Sequence, residues 1–180
     1  MKFRITLICV AIFAAISNAA YAARGSDGNV SIIYWQAPSI LNPYLSSGTK
    51  DIESASLVIE PLGRYDETGK LVPFLAEEIP TVANGGVSAD LTSITWKLKK
   101  GIVWSDGTPV TSADVKFSAD YCMHPDGGCA QLAKFDGIKS ISTPDDRTVV
   151  VNFNGPMPNP YGPFMGGQTP IIQKAQFENC

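Results

Sequence analysis

The sequence predicts a mixed α/β fold, and three patterns along the chain carry this prediction. Residues 30–36 are β-branched and aromatic and are bounded by Gly and Pro, which indicates a buried strand. Apolar and polar residues alternate over residues 93–99, which indicates a half-buried strand. Residues 49–62 carry apolar side chains at helical spacing, with Asp51 in the first turn, and Pro61 is expected to end this helix.

Turn and capping residues predict the remaining elements. Thr111 can cap a helix, with Asp114 three residues on completing a capping box. This helix is expected to run through Tyr121, before Pro125 ends it. Two hairpins are expected at residues 62–73 and 138–153, and two irregular stretches at residues 80–90 and 155–167. One short strand is expected at residues 171–172.

The first 22 residues are typical of a cleaved export signal. Lys2 and Arg4 precede an apolar run over residues 5–16, and a small-x-small pattern that signal peptidase accepts ends at Ala22. The alternative is a membrane anchor, but a spanning helix needs about 20 strongly apolar residues and this run fades earlier. Cys9 lies too early to be a lipoprotein cysteine. We therefore expect a soluble periplasmic product that is cleaved after Ala22 and is not a lipoprotein.

The charge of the chain argues against nucleic acid and anionic membranes as partners. The sequence has 14 Lys and Arg residues and 17 Asp and Glu residues, a formal net charge of −3. Since Lys2 and Arg4 leave with residues 1–22, the processed chain is expected to carry about −5. A mildly acidic surface with no basic stripe fits neither partner.

No catalytic motif is present in the sequence. The single histidine, His124, lies in a predicted loop, and the G-x-S-x-G, H-E-x-x-H and phosphate-loop patterns are absent. Asp106, Asp114 and residues 145–146 occupy turns and a helix cap, where acidic residues are common. We therefore expect neither an enzyme nor a cofactor.

Two cysteines bracket a loop that is rich in turn residues. Cys122 and Cys129 enclose His124 and a Pro-Asp-Gly-Gly run. In an oxidising compartment this arrangement suggests a disulfide, which would contribute about 2–3 kcal/mol. A metal site formed by both cysteines and His124 is one alternative, although it lacks a fourth nearby ligand, and free thiols are the other. Cys180 then has no partner in the chain, and we expect its partner to lie beyond residue 180.

Residues 96–115 resemble the signature of a known family. A strand is followed by a W-S-D-G-T-P-V-T run over residues 104–111 and then by a capped helix. This order resembles family 5 extracellular solute-binding proteins, the dipeptide- and oligopeptide-binding components of ABC importers. Further blocks resemble the same family, at residues 41–43, 60–66, 73–77 and 170–174. The signature itself is expected to be structural, because turn, cap and packing needs account for its residue types.

The resemblance implies a periplasmic-binding-protein-like type II fold, with two lobes around a ligand cleft and an extra subdomain in lobe one. Family members are much longer than this chain, so we expect it to be an N-terminal fragment that supplies part of lobe one. Residues 1–22 would be a signal peptide, and residues 23–48 would form a first strand with a ligand-facing loop. Residues 49–158 would form the accessory subdomain, and residues 159–180 would be a truncated segment that returns into lobe one.

The resemblance also implies which residues face the ligand. Backbone groups of Trp35, Gln36, Ala37 and Pro38 would pair with an extended peptide, as an added strand would. These residues follow a predicted strand, and ligands commonly lie beyond the carboxyl ends of strands in open α/β sheets. Core packing is the alternative role for Trp35.

The implied function is capture of peptides in the periplasm and their delivery to an ABC permease in the inner membrane, by a monomer. Two alternatives remain. The same scaffold could carry another solute, such as a nickel chelate, haem or an oligosaccharide, or the segment could serve a structural or partner-interaction role outside transport. We expect the chain alone to bind no ligand tightly, because half of the cleft is not encoded.

Overall fold

A computed structural model describes residues 28, 29 and 31–179 of the chain. It divides into two compact units, Met1–Trp35 and Gln36–Cys180. The predicted export signal, its cleavage position and Cys180 lie outside the described residues. Within the described part, no helix combines the length and the apolar character that crossing a membrane requires.

The described part of the first unit contains no strand. Residues 31–35 are irregular, and the side chains of Ile33 and Trp35 are 99% and 70% exposed. A strand is stable when neighbouring strands take up its backbone N–H and C=O groups, and the described residues of this segment belong to no ladder. The predicted buried strand is therefore wrong for residues 31–36, and Val30 lies outside the described residues.

The second unit contains three α-helices, five strands and two short 3-10 turns among its described residues. The helices are α1 (Thr49–Ala55), α2 (Ser112–Met123) and α3 (Lys174–Phe177), and the 3-10 turns cover Pro43–Leu45 and Leu132–Phe135. The strands are β1 (Gly63–Tyr65), β2 (Leu71–Pro73), β3 (Ser93–Lys97), β4 (Ile138–Asp145) and β5 (Thr148–Phe153).

An antiparallel sheet in the order β3-β5-β4 carries the core. Trp96 lies opposite Val149 and Ile94 opposite Val151, and all four side chains are fully buried. Helix α2 packs against β4 and β5. The alternation predicted for residues 93–99 is confirmed, because the apolar positions are the buried ones.

Helix α2 begins at the predicted capping box. The Thr111 side chain accepts a hydrogen bond from the N–H of Asp114, and the Asp114 carboxylate accepts one from the N–H of Thr111 at 2.9 Å. The helix ends at Met123, two residues later than predicted. Its buried apolar face is the one that the spacing indicates, formed by Val115, Ala119 and Cys122.

Both predicted hairpins are present. Strand β1 pairs with β2 and β4 pairs with β5, each antiparallel. In the first turn, Asp66 Oδ1 accepts hydrogen bonds from the N–H groups of Thr68 and Lys70, each at 2.9 Å. Gly69 closes this turn with φ +81°, a conformation that favours glycine. The hydrogen bond from the Thr68 hydroxyl is the main reason that the pKa of Asp66 lies below its ordinary value.

Helix α1 is shorter than predicted, because it ends at Ala55 and does not continue to Pro61. The N–H of Leu62 donates to the carbonyl of Phe164 at 2.9 Å, and Leu62 is fully buried. The chain must leave the helix axis before residue 62 to make this bond. Val58 fits the helical spacing but is 73% exposed.

The predicted strand at residues 171–172 is not formed. Ile171 and Ile172 are buried as expected. However, the N–H of Ile171 donates to the carbonyl of Glu60 at 2.9 Å, and the N–H of Ile172 donates to the Ser118 hydroxyl at 2.9 Å. Because the two N–H groups bond to two different elements, no ladder develops.

Candidate functional site

The predicted ligand-facing residues of the second unit lie at its beginning. We call residues 36–41 the 36–41 segment. Gln36, Ala37 and Pro38 are exposed, and within the described part of the chain the backbone N–H groups of Gln36 and Ala37 have no hydrogen-bond partner. These two N–H groups are therefore available to a ligand or to another strand.

Trp35 belongs to the first unit. Its ring centroid lies 6.0 Å from that of Tyr34, with the planes tilted by 46°. Its exposure of 70% shows that the side chain is not part of a core in this structure. The alternative of core packing therefore receives no support.

Asp51 anchors the 36–41 segment from the first turn of α1. Its Oδ1 accepts hydrogen bonds from the N–H of Ser39 at 2.6 Å and, more weakly, from the N–H of Ile40 at 3.4 Å. Its Oδ2 accepts one from the Ser46 hydroxyl at 2.7 Å, and Lys50 Nζ lies 2.9 Å from Oδ1. The Lys50 ammonium, followed by the Ser46 hydroxyl and the Ser39 N–H, holds the pKa of Asp51 well below its usual range.

The 3-10 turn Pro43–Leu45 follows the 36–41 segment and is fixed on both sides. Asn42 Oδ1 accepts the N–H of Tyr44 at 3.0 Å, and Asn42 Nδ2 donates to the Tyr121 hydroxyl at 3.1 Å. Tyr44 is fully buried, and its hydroxyl donates to the carbonyl of Pro170 at 2.5 Å. Burial raises the pKa of Tyr44 far above its ordinary value. Tyr44 thus joins this turn to the segment that leads into α3.

Cys122 and Cys129 form a disulfide in the structure. The residues that follow it contact the 3-10 turn: the N–H of Ala130 donates to the carbonyl of Tyr44 at 2.7 Å, and Gln131 Nε2 donates to the carbonyl of Ser46 at 2.9 Å. Among the described residues, no group of three or more His, Cys, Asp and Glu side chains could hold a metal ion. The structure therefore gives no support to a metal site at this loop.

The signature turn at residues 104–108 is held together by hydrogen bonds between its own residues. The N–H of Trp104 donates to the carbonyl of Thr108 at 2.8 Å, and Gly107 has φ +84°. Asp106 Oδ1 accepts from the Thr108 N–H and hydroxyl, while its Oδ2 accepts from Gln173 Nε2 at 2.8 Å. The Thr108 hydroxyl and then the Gln173 amide hold the pKa of Asp106 at about 2.

Asp114 extends the same scaffold from α2 to α3. Its Oδ2 takes part in the capping box with Thr111, and its Oδ1 accepts the N–H of Lys174 at 2.8 Å. Four residues further along α2, the hydroxyl of the fully buried Ser118 accepts the N–H of Ile172. Asp106, Asp114 and Ser118 therefore each accept a hydrogen bond from residues 172–174 and hold that part of the chain in place.

Sequence reasoning missed Asp51, which holds the 36–41 segment, and Gln131, which holds the turn that follows it. Its helical spacing places Asp51 in a first turn, where the helix dipole accounts for an acid, but a carboxylate preceded by several serines can also accept hydrogen bonds from neighbouring turns. Gln131 carries no local signal, because its acceptors in Pro43 and Ser46 lie 88 and 85 residues away in sequence.

The fold and the signature together define the class of bacterial extracellular solute-binding proteins. The sequence model of "Bacterial extracellular solute-binding proteins, family 5 Middle" matches residues 70–179, and the chain belongs to this family. No sequence pattern of an enzyme accompanies this match.

Curated relatives carry names of the same kind but are much longer. The chain is 35% identical over 101 residues to a putative ABC transporter peptide-binding protein of Brucella ovis, which covers 56% of the chain and 18% of that protein. It is 25% identical over 182 residues to the periplasmic murein peptide-binding protein MppA of Escherichia coli, which covers 88% of the chain and 33% of that protein. The chain thus spans a third or less of these relatives.

Solved structures with the same fold show the same proportions. Haemophilus influenzae OppA in complex with the peptide RPPGFSPFR matches with a TM-score of 0.69 and 22% identity, over 79% of this chain and 30% of that chain. Escherichia coli MppA matches with a TM-score of 0.70 and 23% identity, over 81% and 30%. AgaA of A. tumefaciens in complex with agropinic acid matches with a TM-score of 0.69 and 29% identity, over 79% and 28%. The fold is accordingly α/β and of the type II periplasmic-binding-protein class, of which this chain forms a part.

Proposed function

We propose that the chain is the N-terminal part of a periplasmic solute-binding protein that captures peptides and delivers them to an ABC permease of the inner membrane. The observation that carries the proposal is the family match over residues 70–179. It is supported by the peptide-binding names of the Brucella ovis and Escherichia coli relatives. In the proposed protein, which acts as a monomer, two lobes would close on the ligand by a hinge motion.

The proposal assigns parts of the chain to parts of such a protein. Residues 1–22 form the export signal, cleaved after Ala22, which supports a periplasmic location together with the names of the relatives. Residues 23–48 carry the ligand-facing loop of lobe one. Residues 49–158 form its accessory subdomain, and residues 159–180 lead back into lobe one.

We further propose that Trp35, Gln36, Ala37 and Pro38 contact the ligand. All four are exposed, and the free N–H groups of Gln36 and Ala37 suit an extended peptide, whose own N–H and C=O groups need partners. Pro38 has no N–H, so pairing with a ligand would stop there. Recognition through backbone groups would accept peptides with many different side chains.

A thermal-shift panel tests this function on the full-length protein of which this chain is proposed to be the N-terminal part. We call that protein, after removal of residues 1–22, the processed gene product. Mixed di-, tri- and oligopeptides are expected to raise the unfolding temperature, because a ligand that binds only the folded state stabilises it. Nickel–histidine, haem, agropinic acid and oligosaccharides form the other arms. If one of these solutes raises the unfolding temperature and no peptide does, that solute and not a peptide is the ligand. If nothing raises it, a transport function is contradicted.

A further inference from the structure

Gln131 is a buried glutamine whose side chain holds two points of one distant turn. It is 5% exposed, and its Nε2 donates to the carbonyl oxygens of Ser46 at 2.9 Å and Pro43 at 3.3 Å. Burying a side-chain amide without hydrogen-bond partners is unfavourable. The backbone at residues 43–46 is therefore kept where it can accept these bonds.

The constraint continues from this turn to the 36–41 segment. The Ser46 hydroxyl donates to Asp51 Oδ2 at 2.7 Å. The other oxygen of Asp51 accepts the N–H groups of Ser39 at 2.6 Å and Ile40 at 3.4 Å. Gln131 is thus linked to the backbone of residues 39–40 in two steps, through the carbonyl and hydroxyl groups of Ser46 and then through the Asp51 carboxylate.

Gln131 is itself fixed by its neighbours in sequence. The disulfide ties Cys129 to Cys122, which is buried in α2. The N–H of Gln131 donates to Cys129 Sγ at 3.4 Å, and the N–H of Ala130 donates to the carbonyl of Tyr44 at 2.7 Å. The glutamine is therefore connected to the helix at one end and to the turn at the other.

We propose that Gln131 is a positioning residue for ligand capture. It touches no ligand, but it sets the place of the 36–41 segment through Ser46 and Asp51. This inference rests on the proposed function, because it takes Gln36, Ala37 and Pro38 of the 36–41 segment to contact the ligand. It predicts that ligand affinity depends on an amide that lies outside the segment.

The test compares two glutamine variants in the processed gene product. Gln131→Met keeps the length of the side chain and removes its donors. Gln173→Met is the matched control, because Gln173 Nε2 also donates two hydrogen bonds, but to Asp106 and Thr108 of the signature turn. Amide hydrogen exchange at Ser39 and Ile40 is expected to become about tenfold faster in Gln131→Met and to stay unchanged in Gln173→Met.

Peptide affinity supplies the second readout. The dissociation constant of Gln131→Met is expected to rise about tenfold at a temperature where both variants are fully folded, and that of Gln173→Met to remain unchanged. Unchanged exchange at Ser39 and Ile40, or an equal acceleration throughout β3 and β5, would overturn the proposal. So would equal affinity loss in both variants.

A shorter amide keeps the test decisive if Gln131→Met does not fold. Gln131→Asn retains the donors on a stem that is too short to reach both carbonyls, and the same local acceleration at Ser39 and Ile40 is expected. If the unmodified protein binds no peptide, the proposed function fails while the exchange measurement still decides whether Gln131 positions the segment.

Discussion

Asp51 connects three parts of the chain through one buried carboxylate. It is 3% exposed and accepts hydrogen bonds from Ser39, Ile40 and Ser46 while pairing with Lys50. These bonds favour the charged carboxylate, which is why its pKa lies far below the ordinary value of 3.8. Stability contributed in this way is present above pH 3.8 and is lost as the pH falls through the depressed folded-state pKa.

The change Asp51→Asn is expected to remove this acid-dependent contribution. The amide cannot pair with Lys50, so stability at neutral pH should fall, and the remaining loss of stability below about pH 4 should be smaller than in the unmodified protein. The free energy of unfolding, measured by denaturant titration between pH 2 and pH 7, gives the stability at neutral pH and its loss in acid. Asp126→Asn is the control, since Asp126 is an exposed loop residue outside this network.

An unchanged free energy of unfolding at neutral pH, together with an unchanged acid profile, would contradict this role of Asp51. The sequence predicts Asp51 only as an acid in the first turn of a helix. Its bonds to Ser39 and Ile40 could not be predicted, because they form only after the chain at residues 42–48 has turned back toward α1. For the same reason, local sequence gives no sign of Gln131.

Elements that depend on local chemistry follow the sequence closely. The capping box fixes the start of α2, and alternation fixes the buried face of β3. Elements that depend on distant partners do not. Helix α1 ends early because Leu62 pairs with Phe164, and residues 171–172 form no strand because their N–H groups bond to Glu60 and Ser118.

The segment at residues 31–36 shows the same limit more strongly. Its composition favours a buried strand, but burial and pairing need neighbouring strands, and the described residues give it none. Composition therefore predicts the capacity of this segment to form a strand and cannot predict whether a partner is present.

The disulfide is expected to stabilise the loop between α2 and the 3-10 turn Leu132–Phe135. Replacing both cysteines, as Cys122→Ala with Cys129→Ala, should lower the free energy of unfolding by about 2–3 kcal/mol, because the closed loop restricts the unfolded chain. Denaturant unfolding with and without a dithiol reductant measures this difference. The reductant should destabilise the unmodified protein and leave the double variant unchanged, and a reductant effect on neither would show that the bond does not form.

At the scale of the whole molecule, the chain supplies scaffold more than recognition. The signature residues hold the turn at 104–108, the start of α2 and residues 173–174, and we expect their role to be structural. The chain spans 30% of the OppA structure that it matches. On the proposed function, the side chains that set charge and length preference for a ligand lie largely outside these 180 residues, and for this reason we expect the sequence to predict the class of protein but not its cargo.

Titration calorimetry with a peptide pool, on the processed gene product and on residues 23–180 alone, tests the central claim most directly. The account predicts micromolar or tighter peptide binding by the complete two-lobed protein and no measurable heat with residues 23–180, because one lobe leaves a peptide open to solvent on one side. Equal affinity in both samples would contradict the two-lobed capture. Absence of binding in both would contradict peptide capture itself.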